Sequence, residues 1–169
     1  MEAKAFSKSQ ELPFALALRI RHPSIDPADI SRELHIEPTH SFRVGERRDS
    51  RSLATASSVH GESYWLGTLD PSAWSTGAWL SGFSNLGLAE KKLGGAAEHS
   101  LGLALSLLTT IGFVRVHAPL FERLRAERGQ VSLLVTLSST LVSSFSLTPE
   151  VSRRFGELGI TIEFEIASD

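Results

Sequence analysis

The stretch from Ile160 to Ile166 accepts one strand register and no other. Ile160, Ile162, Phe164 and Ile166 alternate with Thr161, Glu163 and Glu165, so a slip of one residue would bury both glutamates. The same period of two appears in Phe14 to Arg21, where Leu16, Leu18 and Ile20 alternate with Ala17, Arg19 and Arg21. It appears again in Val131 to Ser138, where Val131, Leu133, Val135 and Leu137 form the apolar set. Ser63 to Leu69, with Tyr64 and Trp65, is a fourth strand, and Leu141 to Leu147 a fifth, turned back on Val131–Ser138 through Ser138-Ser139-Thr140. Clean alternation means a sheet with one wet face, so the helices must gather on the other.

Those helices carry explicit start and stop signals. Asp26-Pro27 and Thr148-Pro149 each place a capping oxygen before a proline at the first helical position. The first helix turns Ile30 and Leu34 inward and stops before Pro38; the last turns Val151, Phe155 and Leu158 inward and stops at Gly159. Between them, Ala97 to Ile111 reads as a helix buried on more than one side, through Leu101, Leu105, Leu108, Ile111, Leu103 and Leu107. Pro119 to Glu127 reads as a shorter one, with Leu120, Phe121 and Leu124 inward and Gly129 as its stop. The expected architecture is a single α+β domain over residues 1–169, with a core from about 14 to 166. It is a two-layer sandwich: a mainly antiparallel sheet of about five strands with helices on one face. The two cap-proline helices, each beside a strand, point to a ferredoxin-like pseudo-repeat. Phe164 is expected in the core.

Composition narrows the function classes. The chain has 169 residues, 17 Lys plus Arg against 19 Asp plus Glu, a formal charge of −2 and no cysteine. There is no overall basic field to draw it onto nucleic acid or an anionic membrane. Disulfides, thiolate nucleophiles and sulfur-bound zinc are excluded. The opening MEAKAFSKSQE lacks the apolar run of a signal peptide, and the charge-free stretch His99 to Val114 is shorter than the ~20 residues of a spanning helix. A cytoplasmic setting is expected.

Two connections, about 37–62 and about 70–98, exceed ordinary loop length. The first carries Arg43, Arg47, Arg48 and Arg51 around Gly45. Guanidinium forks there suit phosphate or carboxylate, while the plainer reading is a solvated loop paired with Glu46 and Asp49. The second carries Trp74, Trp79 and Phe83 among Gly and Ser. Trp65 is either the aromatic floor of a pocket beside Thr39 and Arg43 or a core residue, and Pro38 and Thr39 fix the exit of the first helix. His35 and His40 stand five apart across a proline, without same-face spacing, and His22, His60, His99 and His117 are scattered, so no metal site is expected. Gly82-Phe83-Ser84-Asn85-Leu86-Gly87 is no nucleophile elbow, and no phosphate-binding or dinucleotide loop is present. No catalytic residue or cofactor is assigned.

The run Ser24-x-Asp26-Pro27-x-x-Ile30-x-x-x-Leu34-x-Ile36-x-Pro38-Thr39, a Gly-containing turn, and a strand with Tyr64-Trp65-Leu66 resemble the bacterial family called domain of unknown function 4279. The ending Phe145-Ser146-Leu147-Thr148-Pro149, a short helix, Leu158-Gly159-Ile160 and a final alternating strand are similar too. The resemblance runs from about Phe14 to Ile166, with Pro71 to Glu98 longer than the family carries. The family has no established activity, so the resemblance implies a fold and no chemistry.

The leading functional expectation is a non-catalytic module that binds a protein partner or itself through the Arg-bearing loop and the Trp74–Phe83 insertion. The alternative is a binding protein or enzyme for a small anionic metabolite held by Thr39, Arg43 and Arg47 and covered by Trp65. Nucleic acid ranks third, because Glu163 and Glu165 lie on the wet face where an RNA-binding sheet would carry aromatics.

Overall fold

The structure is a computed structural model and describes residues 14–47, 59–70, 95–138 and 147–167, with the side chains of 95–101 excepted. Its elements are β1 (Phe14–His22), α1 (Pro27–Leu34), β2 (His40–Phe42), β3 (Ser63–Leu69), α2 (Gly95–Val116), α3 (Ala118–Ala126), β4 (Gln130–Ser138), α4 (Pro149–Glu157) and β5 (Thr161–Ala167). The strands form one five-stranded sheet in the order β2-β3-β1-β4-β5. Every pairing is antiparallel except β4–β5, which is parallel. The α+β sandwich is thus as expected, with a mixed sheet.

Alternation decides the layers. Phe14, Leu16, Leu18 and Ile20 of β1, Trp65 and Leu69 of β3, and Val131, Leu133, Val135 and Leu137 of β4 are all buried on one face. They share a single core with Ile30 and Leu34 of α1, Leu107, Ile111 and Val114 of α2, Leu124 of α3, and Val151 and Phe155 of α4. The opposite face presents Ala15, Ala17, Arg19 and Arg21 from β1, Tyr64, Leu66 and Thr68 from β3, and Ser132, Leu134 and Thr136 from β4. No single helix among the described residues is long and apolar enough to cross a membrane.

The caps hold as read. Asp26 Oδ1 accepts from Ala28 N at 2.9 Å, and Thr148 Oγ1 from Val151 N at 3.4 Å. Helix α1 leaves through His35, which takes the left-handed conformation at φ 56°. Helix α4 is followed by Gly159 at φ 67°. Helix α2 continues past Ile111 to Val116, and its middle is core: Leu103, Leu107, Leu108, Ile111 and Val114 are buried, while Leu105 is exposed.

Four expectations change. The stop after α3 uses Arg128, at φ 67°, as its left-handed residue, and Gly129 serves a close approach instead. Its N–H donates to Leu124 O at 2.7 Å, and a Cβ there would meet His22 Cδ2 at 2.7 Å. The 37–62 connection contains an additional strand, β2, and a hairpin beyond it. Phe164 lies on the expected face, opposite Val135, but β5 is the outermost strand among the described residues, and Phe164 and Ile166 are 37% and 71% exposed. Finally, the β4–α4–β5 crossover brings its two parallel strands side by side. A split βαβ repeat leaves a strand between them, so the ferredoxin-like order is not reproduced. The expected strand at Leu141–Leu147 lies outside the described residues except for Leu147, which is not in a strand.

Candidate functional site: the helix-free sheet face and the adjoining cleft

The β2–β3 corner is built by the chain that follows α1. Thr39 N donates to Leu66 O at 2.7 Å, and its hydroxyl meets Thr68 Oγ1 at 2.9 Å, which fastens β2 to β3. Residues His40, Ser41 and Phe42 then pair with Leu66, Trp65 and Tyr64. Beyond β2 the chain turns at Gly45, whose φ of 81° suits a residue without Cβ. Gly45 N donates to His60 O at 2.8 Å, His60 N donates to Glu46 O at 2.9 Å, and Arg47 bridges Val59. This hairpin carries Arg43 and Arg47 and brings His60 back over Phe42.

The result is a four-ring cluster on the sheet face left free of helices among the described residues. Phe42 stacks between His60, at 3.5 Å between centroids and 18° between planes, and Tyr64, at 5.1 Å and 12°. His40 stands edge-on to both Phe42 and Tyr64, at 5.8 Å from each. The strand register then places Arg21 beside Tyr64 and Arg19 beside Leu66. Arg21 is about half exposed and lies 3.9 Å from Glu62. At the far side of the same face, Glu163 is held by Ser132 and the Arg19 guanidinium, which together lower its pKa. Glu165 is exposed and makes no ion pair among the described residues.

On the helical side of β2, α1 and the turn at Gly45 bound a cleft of about 670 Å3. Its wall includes Asp26, Ser31, His35, Glu37, Arg43 and Glu46. Arg43 is not free in it: its guanidinium pairs with Asp26 Oδ2 at 2.6 Å, and its N–H donates to Glu46 Oε2 at 2.9 Å. Arg32, also in the wall, pairs with Asp29 at 2.6 Å.

The sequence-predicted residues therefore disperse. Arg43 lines the cleft, and Arg47 lies in the hairpin beyond it. Thr39 is a cross-strand stitch. Trp65 is fully buried, its indole N–H donates to Ser31 Oγ at 2.9 Å, and it is a core residue tying β3 to α1 rather than part of the cleft wall. Trp74 and Trp79 lie outside the described residues, as do Arg48 and Arg51. His35 falls on the cleft and His40 on the opposite sheet face; among the described residues no three His, Cys, Asp or Glu converge as a metal set. The sequence reading missed the His40–Phe42–His60–Tyr64 cluster. Its signal was the alternation His40-Ser41-Phe42, hidden because a three-residue strand carries too little period to register. Comparison with protein-family models, curated proteins and solved structures finds no match to this chain.

Proposed function

We propose that this protein is a non-catalytic protein-binding module that docks through the helix-free face, at the corner where the aromatic cluster meets the Arg-bearing hairpin. The observation that carries this reading is the four-ring cluster held outside the core, on the sheet face that no helix among the described residues covers. Aromatic residues and arginine are the types enriched at binding hot spots, and here Phe42, Tyr64 and Arg21 are presented on strands β2, β3 and β1. A bacterial, cytoplasmic setting belongs to the same proposal, supported by the family resemblance and the cysteine-free composition.

The test is affinity capture and cross-linking with wild-type bait against Tyr64→Ala and His40→Ala baits of equal thermal stability. At least a tenfold loss of the captured partner, whether another protein or the chain itself, is expected. Undiminished capture by both variants would remove the face from consideration.

The cleft supports a second reading, small-molecule binding, because its volume lies in the range of ligand sites. An anionic metabolite would have to draw Arg43 away from Asp26 and approach Glu37 and Glu46, which weakens the anionic form of that reading. A thermal-shift panel of phosphorylated sugars and carboxylates decides it: stabilisation abolished by Arg43→Ala would favour the cleft, and none at millimolar ligand would dismiss it.

A further inference from the structure

The helix-free face is charged in opposite senses at its two sides. The β2–β3–β1 side carries Arg21, loosely engaged at 3.9 Å by Glu62, beside the aromatic cluster. The β5 side carries Glu165, exposed and without an ion-pair partner among the described residues. Between them lie Ala17, Leu66 and Leu134, all half-buried, with the Arg19–Glu163 ion pair among them, and no helix of the described residues covers them. A centre of half-buried apolar side chains around an ion pair satisfied within the chain, flanked by separated charges, fits an interface patch. What distinguishes this one is that its two charged sides complement each other.

We propose that the occupant of this face is a second copy of the chain, related by a two-fold axis lying in the interface plane. The axis sets Arg21 of each copy against Glu165 of the partner subunit. This rests on the protein-binding reading above and names its partner. An isologous pairing makes every such contact twice, so one Arg21–Glu165 match supplies two ion pairs. The two sheets would stack face to face at ~10 Å, giving four layers with helices outside. Strands ~4.8 Å apart with a rise of ~3.3 Å per residue give the face roughly 500 Å2 per copy. The pair therefore buries on the order of 1,000 Å2, at the lower end for a specific interface, and a reversible, salt-sensitive dimer follows. Edge pairing through β5 is the less favourable route to the same mass. The fully overlapped antiparallel register of two β5 strands sets Glu163 opposite Glu165, and registers that avoid opposed glutamates pair only about three residues.

The experiment is sedimentation equilibrium of the full chain at low and high salt, for the wild type, Arg21→Glu, Glu165→Arg and the double variant. The expected result is a wild-type dimer weakened by salt, at least tenfold weaker association for each single variant, and recovery in the double variant, where both contacts are restored with reversed sign. Leu134→Lys, in the centre of the face, should also give a monomer with an unchanged circular dichroism spectrum. A wild type that stays monomeric at 100 μM overturns the inference. So does a dimer that neither charge reversal weakens, or one the double variant fails to restore. If the wild type is monomeric while Tyr64→Ala still abolishes capture of a different protein, this inference fails and the protein-binding reading stands.

Discussion

His22 shows how one buried polar side chain can hold three parts of the chain together. Its Nδ1 accepts N–H bonds from Ser24 at 3.1 Å and Ile25 at 2.8 Å, so that nitrogen is unprotonated and the proton sits on Nε2. Buried Nε2 lies 3.2 Å from Glu127 Oε2 at the end of α3, close enough for attraction though without hydrogen-bond alignment. Gly129 leaves the room this requires. Replacing His22 with Ala orphans two backbone donors and opens a cavity. A loss of about 2–4 kcal/mol is expected in urea unfolding, partly recovered by His22→Asn, whose side-chain oxygen can accept the same donors. Gly67 poses a similar constraint: a Cβ there would fall 2.3 Å from Trp65 Cη2. Because Trp65 is fully buried and bonded to Ser31, its ring cannot swing aside. Gly67→Ala should cost about 1–3 kcal/mol by denaturant titration.

At the scale of elements, β5 separates facing from depth. Its Ile162, Phe164 and Ile166 pair with Leu133, Val135 and Leu137, so the alternation names the correct side of the sheet. Depth depends on what lies above and beside the strand. Among the described residues β5 has a neighbouring strand on one flank only, and Phe164 stays 37% exposed, whereas Phe155 of α4, packed against the sheet, is 1% exposed. Phe155→Ala should therefore cost about 3–5 kcal/mol, and Phe164→Ala about 1–2 kcal/mol, measured side by side in guanidinium. Equal losses would mean that β5 is covered in solution, as a docked partner on that edge would do.

At the scale of the whole molecule, one carboxylate on the sheet face, Glu163, sets part of the response to acid. Glu163 sits below the ordinary carboxylate value of 4.5, through the Ser132 hydroxyl and the Arg19 guanidinium. Its folded-state pKa is depressed, so its contribution to stability is complete above about pH 4.5 and is lost as pH falls through the lower folded value. Unfolding free energy should be flat in this respect from pH 7 to 5 and fall below it. The fall should be shallower in Glu163→Gln, as read by denaturant midpoints across that range.

The sequence by itself determined that β1, β3, β4 and β5 are strands, which side of each is apolar, and where α1 and α4 begin. These are local matters: a period of two, a capping oxygen and a proline with fixed φ act within a few residues. Only the tertiary structure decided that Trp65 is core, bonded to a serine 34 positions away. The same holds for the aromatic cluster, whose rings come from β2, β3 and the far limb of a hairpin, and for Arg43, which meets Asp26 across the α1 entrance. Strand order and the parallel β4–β5 pair belong there too. A side chain's periodicity tells which way it faces, but its neighbours are set by how the strands are ordered, and local sequence carries little of that order.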